Sequence, residues 1–183
     1  MKCHVVVEGP TDAELFKRLL ADLPLPERPR IVVAGGKMRC VSVARSILAL
    51  KREPVVVVVD ADNSEPDAIE EQRGYLEFEM RAVSTPAMWK VFLLQPELET
   101  LFFAVPAAIE RFFGVRLSAE QKVRAEYSPK TVLSGLTKKP WAEIELVQSL
   151  TKDELTQIRD RHEISEIRAF IANEAGTTLT ASP

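Results

Sequence analysis

The chain reads as an α/β protein: a parallel sheet of about four strands flanked by helices, followed by a helical extension. Three observations predict this. Pro54 is followed by five consecutive valines, Val55 to Val59, which run straight into Asp60, Ala61 and Asp62; a β-branched run of that length suits a strand buried on both faces, at the centre of a parallel sheet. Further apolar runs at Lys2 to Val7, Ile31 to Ala34 and Trp89 to Leu94 alternate with segments of helical periodicity, which is the pattern of strands joined by right-handed helical crossovers. From Leu101 onward the sequence offers only helical segments.

Each element has its own signal. After the first strand, Glu8-Gly9-Pro10-Thr11-Asp12 leads into Leu15, Phe16, Leu19, Leu20 and Leu23 at helical spacing, with Thr11 or Asp12 as the cap. Pro24, Pro26 and Pro29 end that helix stiffly. The second strand runs into a tight turn, Gly35-Gly36-Lys37, and Val41, Ala44, Ile47, Leu48 and Leu50 mark a second helix closed by Lys51 and Arg52. After the valine strand, Asn63 to Asp67 form a turn and a helix start, and a helix from about Asp67 to Ala82 turns Ile69, Leu76, Met80 and Val83 inward. The fourth strand ends at Gln95-Pro96-Glu97-Leu98-Glu99. Short helices are then expected from Glu97, at Pro106 to Phe113, Ser118 to Arg124, Ser128 to Leu136, Pro140 to Leu150, Thr151 to Arg161 and Glu163 to Asn173. The expected division is an α/β domain over residues 1–104 and a helical extension over 105–183, with a frayed tail from about 176.

Composition narrows the function. The chain has 183 residues, 46% hydrophobic and 28% charged, enough for one substantial core. No apolar run approaches the roughly 20 residues that span a bilayer, and no signal-peptide pattern opens the chain, so the expectation is a cytoplasmic protein without membrane contact. Two cysteines and two histidines, without CxxC or a Cys/His cluster, point away from a disulfide framework, a zinc site or a histidine triad. A net charge of −3 gives no global attraction for nucleic acid, so such binding would need a local patch or metal ions.

The acids carry the chemistry. Three of the four strands end in carboxylates: Glu8, then Asp60 and Asp62, then Glu97 and Glu99. Strand ends in an open α/β sheet deliver their residues to the carboxyl edge, where ligands bind. Such a concentration of negative charge is costly unless cations neutralise it, and Mg2+ or Mn2+ takes oxygen ligands of this kind. The alternative for Asp60 and Asp62 alone is a pair that ends a strand and caps a helix.

Glu8 with Gly9 and Asp12 (VVVEGPTD), the Gly35-Gly36-Lys37 turn and the DAD at Asp60 to Asp62 after an all-valine strand, in that order, resemble a Toprim domain. This Rossmann-like metal-binding fold is shared by topoisomerases, bacterial primases, small ribosomal-RNA maturases and the overcoming-lysogenisation-defect (OLD) nucleases. Glu97-Leu98-Glu99-Thr-Leu-Phe-Phe resembles the acidic motif after the fourth strand in the last group and in small standalone Toprim-like proteins. The resemblance spans about residues 1–104. It implies that Glu8 is a general acid/base or metal ligand, that Asp60 and Asp62 hold Mg2+ or Mn2+, and that Asp12 supports a second metal. Of the last pair Glu99 is the better ligand, because i and i+2 diverge on a helix, and Glu97 is the other candidate. Asp67 is a helix-start acid first and a ligand second. Asn63-Ser64-Glu65-Pro66 departs from the glycine or Arg-Glu-Gly that often follows DxD in topoisomerases and primases, and neither Tyr75 nor Tyr127 sits in a nucleophile context.

Lys37 either contacts a phosphate or is solvated on its turn. Lys122, Arg124, Lys130, Lys138 and Lys139 face a single acid, Glu126, between Gln121 and Pro140. Of these, Lys130, Lys138 and Lys139 are the candidate nucleic-acid contacts, against the alternative of a solvated face. Glu110, Glu143 and Glu145 read as ordinary surface. The leading expectation is a metal-dependent nuclease, with DNA or RNA as substrate. The alternative is a Toprim module that binds metal or nucleic acid and works with a separately encoded ATPase, since no GxxxxGK[ST] loop is present. A third is an α/β domain whose acids only cap helices.

Overall fold

The computed structural model of the chain describes residues 2–138 and 142–174. Four strands form one sheet: β1 (His4–Val7), β2 (Arg30–Val33), β3 (Val55–Asp60) and β4 (Trp89–Leu94). Their order is β2-β1-β3-β4, and every neighbouring pair is parallel. This is the α/β parallel sheet expected from the strand and helix alternation. The chain passes outward from β1 to β2 and then back across to β3, so the two directions of winding part between the carboxyl ends of β1 and β3, the place where open parallel sheets leave a crevice.

The valine run shows why the strand lies centrally. Side chains of a strand alternate between faces. Val55, Val57 and Val59 join the core under helices α2 (Lys37–Lys51) and α3 (Pro66–Arg81), whereas Val56 and Val58 join the core on the opposite face. Both faces are covered, so both sets must be apolar. Leu15, Phe16 and Leu19 of helix α1 (Pro10–Leu19) fill the second face together with Ile109, Leu133, Leu146, Ile158, Ile164, Ile167 and Ile171 from the helices after residue 105. Sheet and following helices therefore share one hydrophobic core on that side.

Those helices are α4 (Pro106–Phe113), α5 (Ala119–Ala125), α6 (Pro129–Gly135), α7 (Glu143–Ser149), α8 (Lys152–Arg159) and α9 (His162–Glu174). Two 3-10 segments, Pro86–Met88 and Leu98–Ala104, flank β4. Arginines tie the later helices to the carbonyl end of α1. Arg159 donates to the Leu19 and Arg18 carbonyls at 3.1 and 2.8 Å, Arg168 donates to Leu19, and Arg18 donates to the Leu150 carbonyl at 2.7 Å. Such donors satisfy the orphan carbonyls of a helix end and complement its negative pole.

Some local expectations shift. Leu50, placed among the apolar markers of α2, is 84% exposed, because it lies two positions past the buried pair Ile47 and Leu48, off their face. Glu97 is not inside the helix that follows β4; it is extended, at φ −148°, and the helical segment starts at Leu98 as 3-10. The expected tail from residue 176 and Lys139 lie outside the described residues. Among the described residues no helix is long and apolar enough to cross a membrane.

Candidate metal centre at the carboxyl edge of the sheet

Glu8 leaves β1 beside the end of β3, and one of its oxygens accepts the Asp60 backbone N–H at 3.0 Å. Asp60 is the last residue of β3, and its own Oδ1 accepts the Leu98 N–H at 2.8 Å, at the start of the 3-10 segment after β4. The ends of β1, β3 and β4 are thus laced together through two carboxylates. On the other side of Glu8, Gly9 donates its N–H to Asp12 Oδ2 at 2.8 Å, so Asp12 caps α1 from inside its first turn, and Gly9 is the residue at the cap position.

These groups line one cleft of about 330 Å³, bounded by Glu8 to Asp12, Gly36, Asp60, Leu98, Glu99, Lys130 and Glu143. Gly35 and Gly36 have φ of 82° and 134°, in the region that side chains rarely tolerate, and this lets the turn after β2 pass the cleft mouth. The N-terminus of α1 forms part of the wall, its positive pole toward the acids.

Electrostatics mark the cleft. Burial raises Asp60 from its ordinary 3.8 to about 8, reinforced by the charge of Glu99. Burial likewise pushes Glu8, Asp12 and Glu99 up, against the hydrogen bonds that each accepts from backbone N–H groups. Glu99 is 3% exposed, and its Oε2 is buried without a hydrogen-bond partner. Its Oε1 lies 3.4 Å from the Lys130 ammonium, which also lies 3.5 Å from Glu143. In the core, the Cys40 thiol is held up at about 12 by burial and by the charges of Glu8 and Asp12.

The sequence candidates divide. Glu8, Asp12, Asp60, Glu99 and Lys130 share the cleft. Asp62 does not line it: its backbone is left-handed at φ 54°, held by a hydrogen bond from its N–H to the Pro96 carbonyl, and its side chain, 69% exposed, pairs with Lys37 at 2.9 Å on the rim. Glu97 is half-buried beyond the lining, and its carboxyl is raised by burial against the charge of Lys130. Asp67 is exposed in the first turn of α3. Lys138 is exposed away from the lining, and Lys122 borders a separate groove with Phe103, Glu126 and Arg161, so of the described basic strip only Lys130 reaches the cleft.

One member was missed. Glu143 read as a surface acid, yet it forms the outer wall of the cleft and holds Lys130. An acid in the first turn of a helix is normally a solvated dipole partner, and only the packing of α7 against α1 brings it to the sheet edge. No pattern in the sequence could have signalled that.

The donor set suits a hard divalent cation: all ligand candidates are carboxylates, one buried oxygen is unpartnered, and Asp60 is held far above the usual carboxylate range. As the side chains stand, no three His, Cys, Asp or Glu groups of the described residues are gathered closely enough to hold an ion.

No family model matches the chain, and no curated protein matches it. Among solved structures it is similar to the C-terminal region of the Burkholderia pseudomallei OLD protein, at 14% identity and a TM-score of 0.45, covering 100% of this chain and 91% of that one. That likeness is loose; the fold class rests on the sheet itself, four parallel strands with helices on both faces.

Proposed function

We propose that the chain is a divalent-metal-dependent phosphodiesterase acting on nucleic acid, on a Toprim-like scaffold. One observation carries this reading: Glu8, Asp60 and Glu99, from three different strand ends, line one cleft at the sheet's switch point, with a buried Glu99 oxygen left unpartnered. Glu8, Asp60 and Glu99 would hold Mg2+ or Mn2+, with Asp12 toward a second ion and Asp62 on the rim. When bound, the metal polarises the phosphate and stabilises the leaving oxygen.

The protein's own groups supply the rest. Glu8 keeps one oxygen fixed by the Asp60 N–H, and its other oxygen would either join the metal or, in place of that role, exchange a proton with water or the leaving oxygen. Lys130 on the cleft wall and Lys37 on the rim present ammonium groups to phosphate oxygens.

A second reading is favoured by one fact, that the acids are not gathered as they stand: a module that binds metal or nucleic acid and cleaves only with a separately encoded ATPase. The test is incubation of purified protein with supercoiled plasmid, single-stranded DNA and structured RNA in Mg2+ or Mn2+, beside Asp60→Asn. Cleavage lost in the variant supports the nuclease. Retained cleavage in Asp60→Asn and Glu8→Gln overturns it, and metal binding without cleavage moves the reading to the module.

A further inference from the structure

We propose that Lys130 is a built-in counter-cation of the cleft, which competes with a divalent ion for the charge of Glu99. This rests on the reading of the cleft as a metal centre.

Lys130 belongs to α6, outside the sheet, yet its ammonium sits between Glu99 at 3.4 Å and Glu143 at 3.5 Å. Glu99 is 3% exposed and one of its oxygens is orphaned, so its charge is poorly compensated by its own surroundings. A buried carboxylate without a cation is costly. The half-exposed lysine stem can bring that cation in and withdraw it, since its flexible methylenes swing at little cost. Glu143, on the more exposed side, gives the ammonium a second partner after it leaves Glu99. The helices that follow the sheet thereby set how readily the cleft takes a metal ion.

An ammonium on Glu99 Oε1 and a divalent cation on its Oε2 lie within a few ångströms and repel each other, so metal affinity is lowered by that repulsion or by the work of moving the lysine. Removing the charge should raise affinity, whereas a lysine that merely packs, or that helps to hold the metal site together, would leave affinity unchanged or weaken it.

The experiment is calorimetric titration of Mn2+ into the full chain, in the absence of nucleic acid, for wild type, Lys130→Met, Lys130→Arg and Asp60→Asn. Thermal melts check that each variant is folded. The expected result is about tenfold tighter Mn2+ binding in Lys130→Met, which corresponds to about 1.4 kcal/mol. Lys130→Arg, which keeps the charge, should stay within about twofold of wild type. Equal or weaker binding by Lys130→Met, with wild type binding and Asp60→Asn not, overturns the counter-cation and leaves the metal centre standing. No binding by wild type or by Lys130→Met removes both.

Discussion

The Asp60 backbone N–H donates to the Glu8 carboxylate at 3.0 Å, joining the ends of two adjacent parallel strands through the acid of one and the main chain of the other. Asp60 in turn accepts from Leu98, so the ends of β1, β3 and β4 are linked through these two acids. The consequences can be measured one at a time.

Asp60 lowers the stability of the metal-free fold above acid pH. Its folded value of about 8 lies above the ordinary 3.8, so the folded protein holds a proton that the unfolded chain releases. Stability is therefore full below about pH 4 and falls as pH rises toward 8. Asp60→Asn keeps the acceptor for Leu98 but removes the charge. It should stabilise the metal-free protein by about 1–3 kcal/mol at pH 8, less than the full shift because water reaches the cleft, and by nearly nothing at pH 4. Urea unfolding at the two pH values, with chelator present, checks this.

Glu99 and Glu97 are two residues apart but unequal. Glu99 is buried in the cleft wall, and Glu97 stands outside the lining. Glu99→Gln should weaken Mn2+ binding by about 10- to 100-fold, the scale expected for loss of a group that holds or orients a metal. Glu97→Gln should change it by less than about threefold. Calorimetry on both variants reads the difference, and the reverse ranking would move the ligand role to Glu97.

Away from the cleft, Arg111 grips both oxygens of Glu154 at 2.6 and 2.9 Å, and the Thr151 N–H donates to the same carboxylate at 2.7 Å. The Arg111 guanidinium holds Glu154 down at about 2, from its ordinary 4.5. Its contribution is complete above about pH 4.5 and is lost as pH falls through about 2. Glu154→Gln should cost about 1–3 kcal/mol at pH 7 and much less at pH 2.5. Denaturant melts at the two pH values test it.

Much of this was legible in the sequence, for definite reasons. The five valines specify a strand buried on both sides, and Val55 to Val59 do alternate between two cores. The periodic leucines of α1 are buried as their spacing demands. Strand ends also announce their acids, because a parallel sheet sends every carboxyl end to one edge. What could not be read was which acids turn inward. Asp62 follows Asp60 by two residues, but a left-handed backbone at φ 54° carries it to the rim and to Lys37. Glu143 reaches the cleft only through packing of α7 against α1, which leaves no local signature, whereas Lys130, one of the basic strip, does line it.

The most direct test of the account is the location of the metal. In crystals of the full chain soaked with Mn2+ and measured at the manganese absorption edge, an anomalous peak is expected inside the cleft bounded by Glu8, Asp60 and Glu99, with Lys130 withdrawn from Glu99. A soaked crystal with no peak there, or with manganese only at Asp62 on the rim, would contradict it.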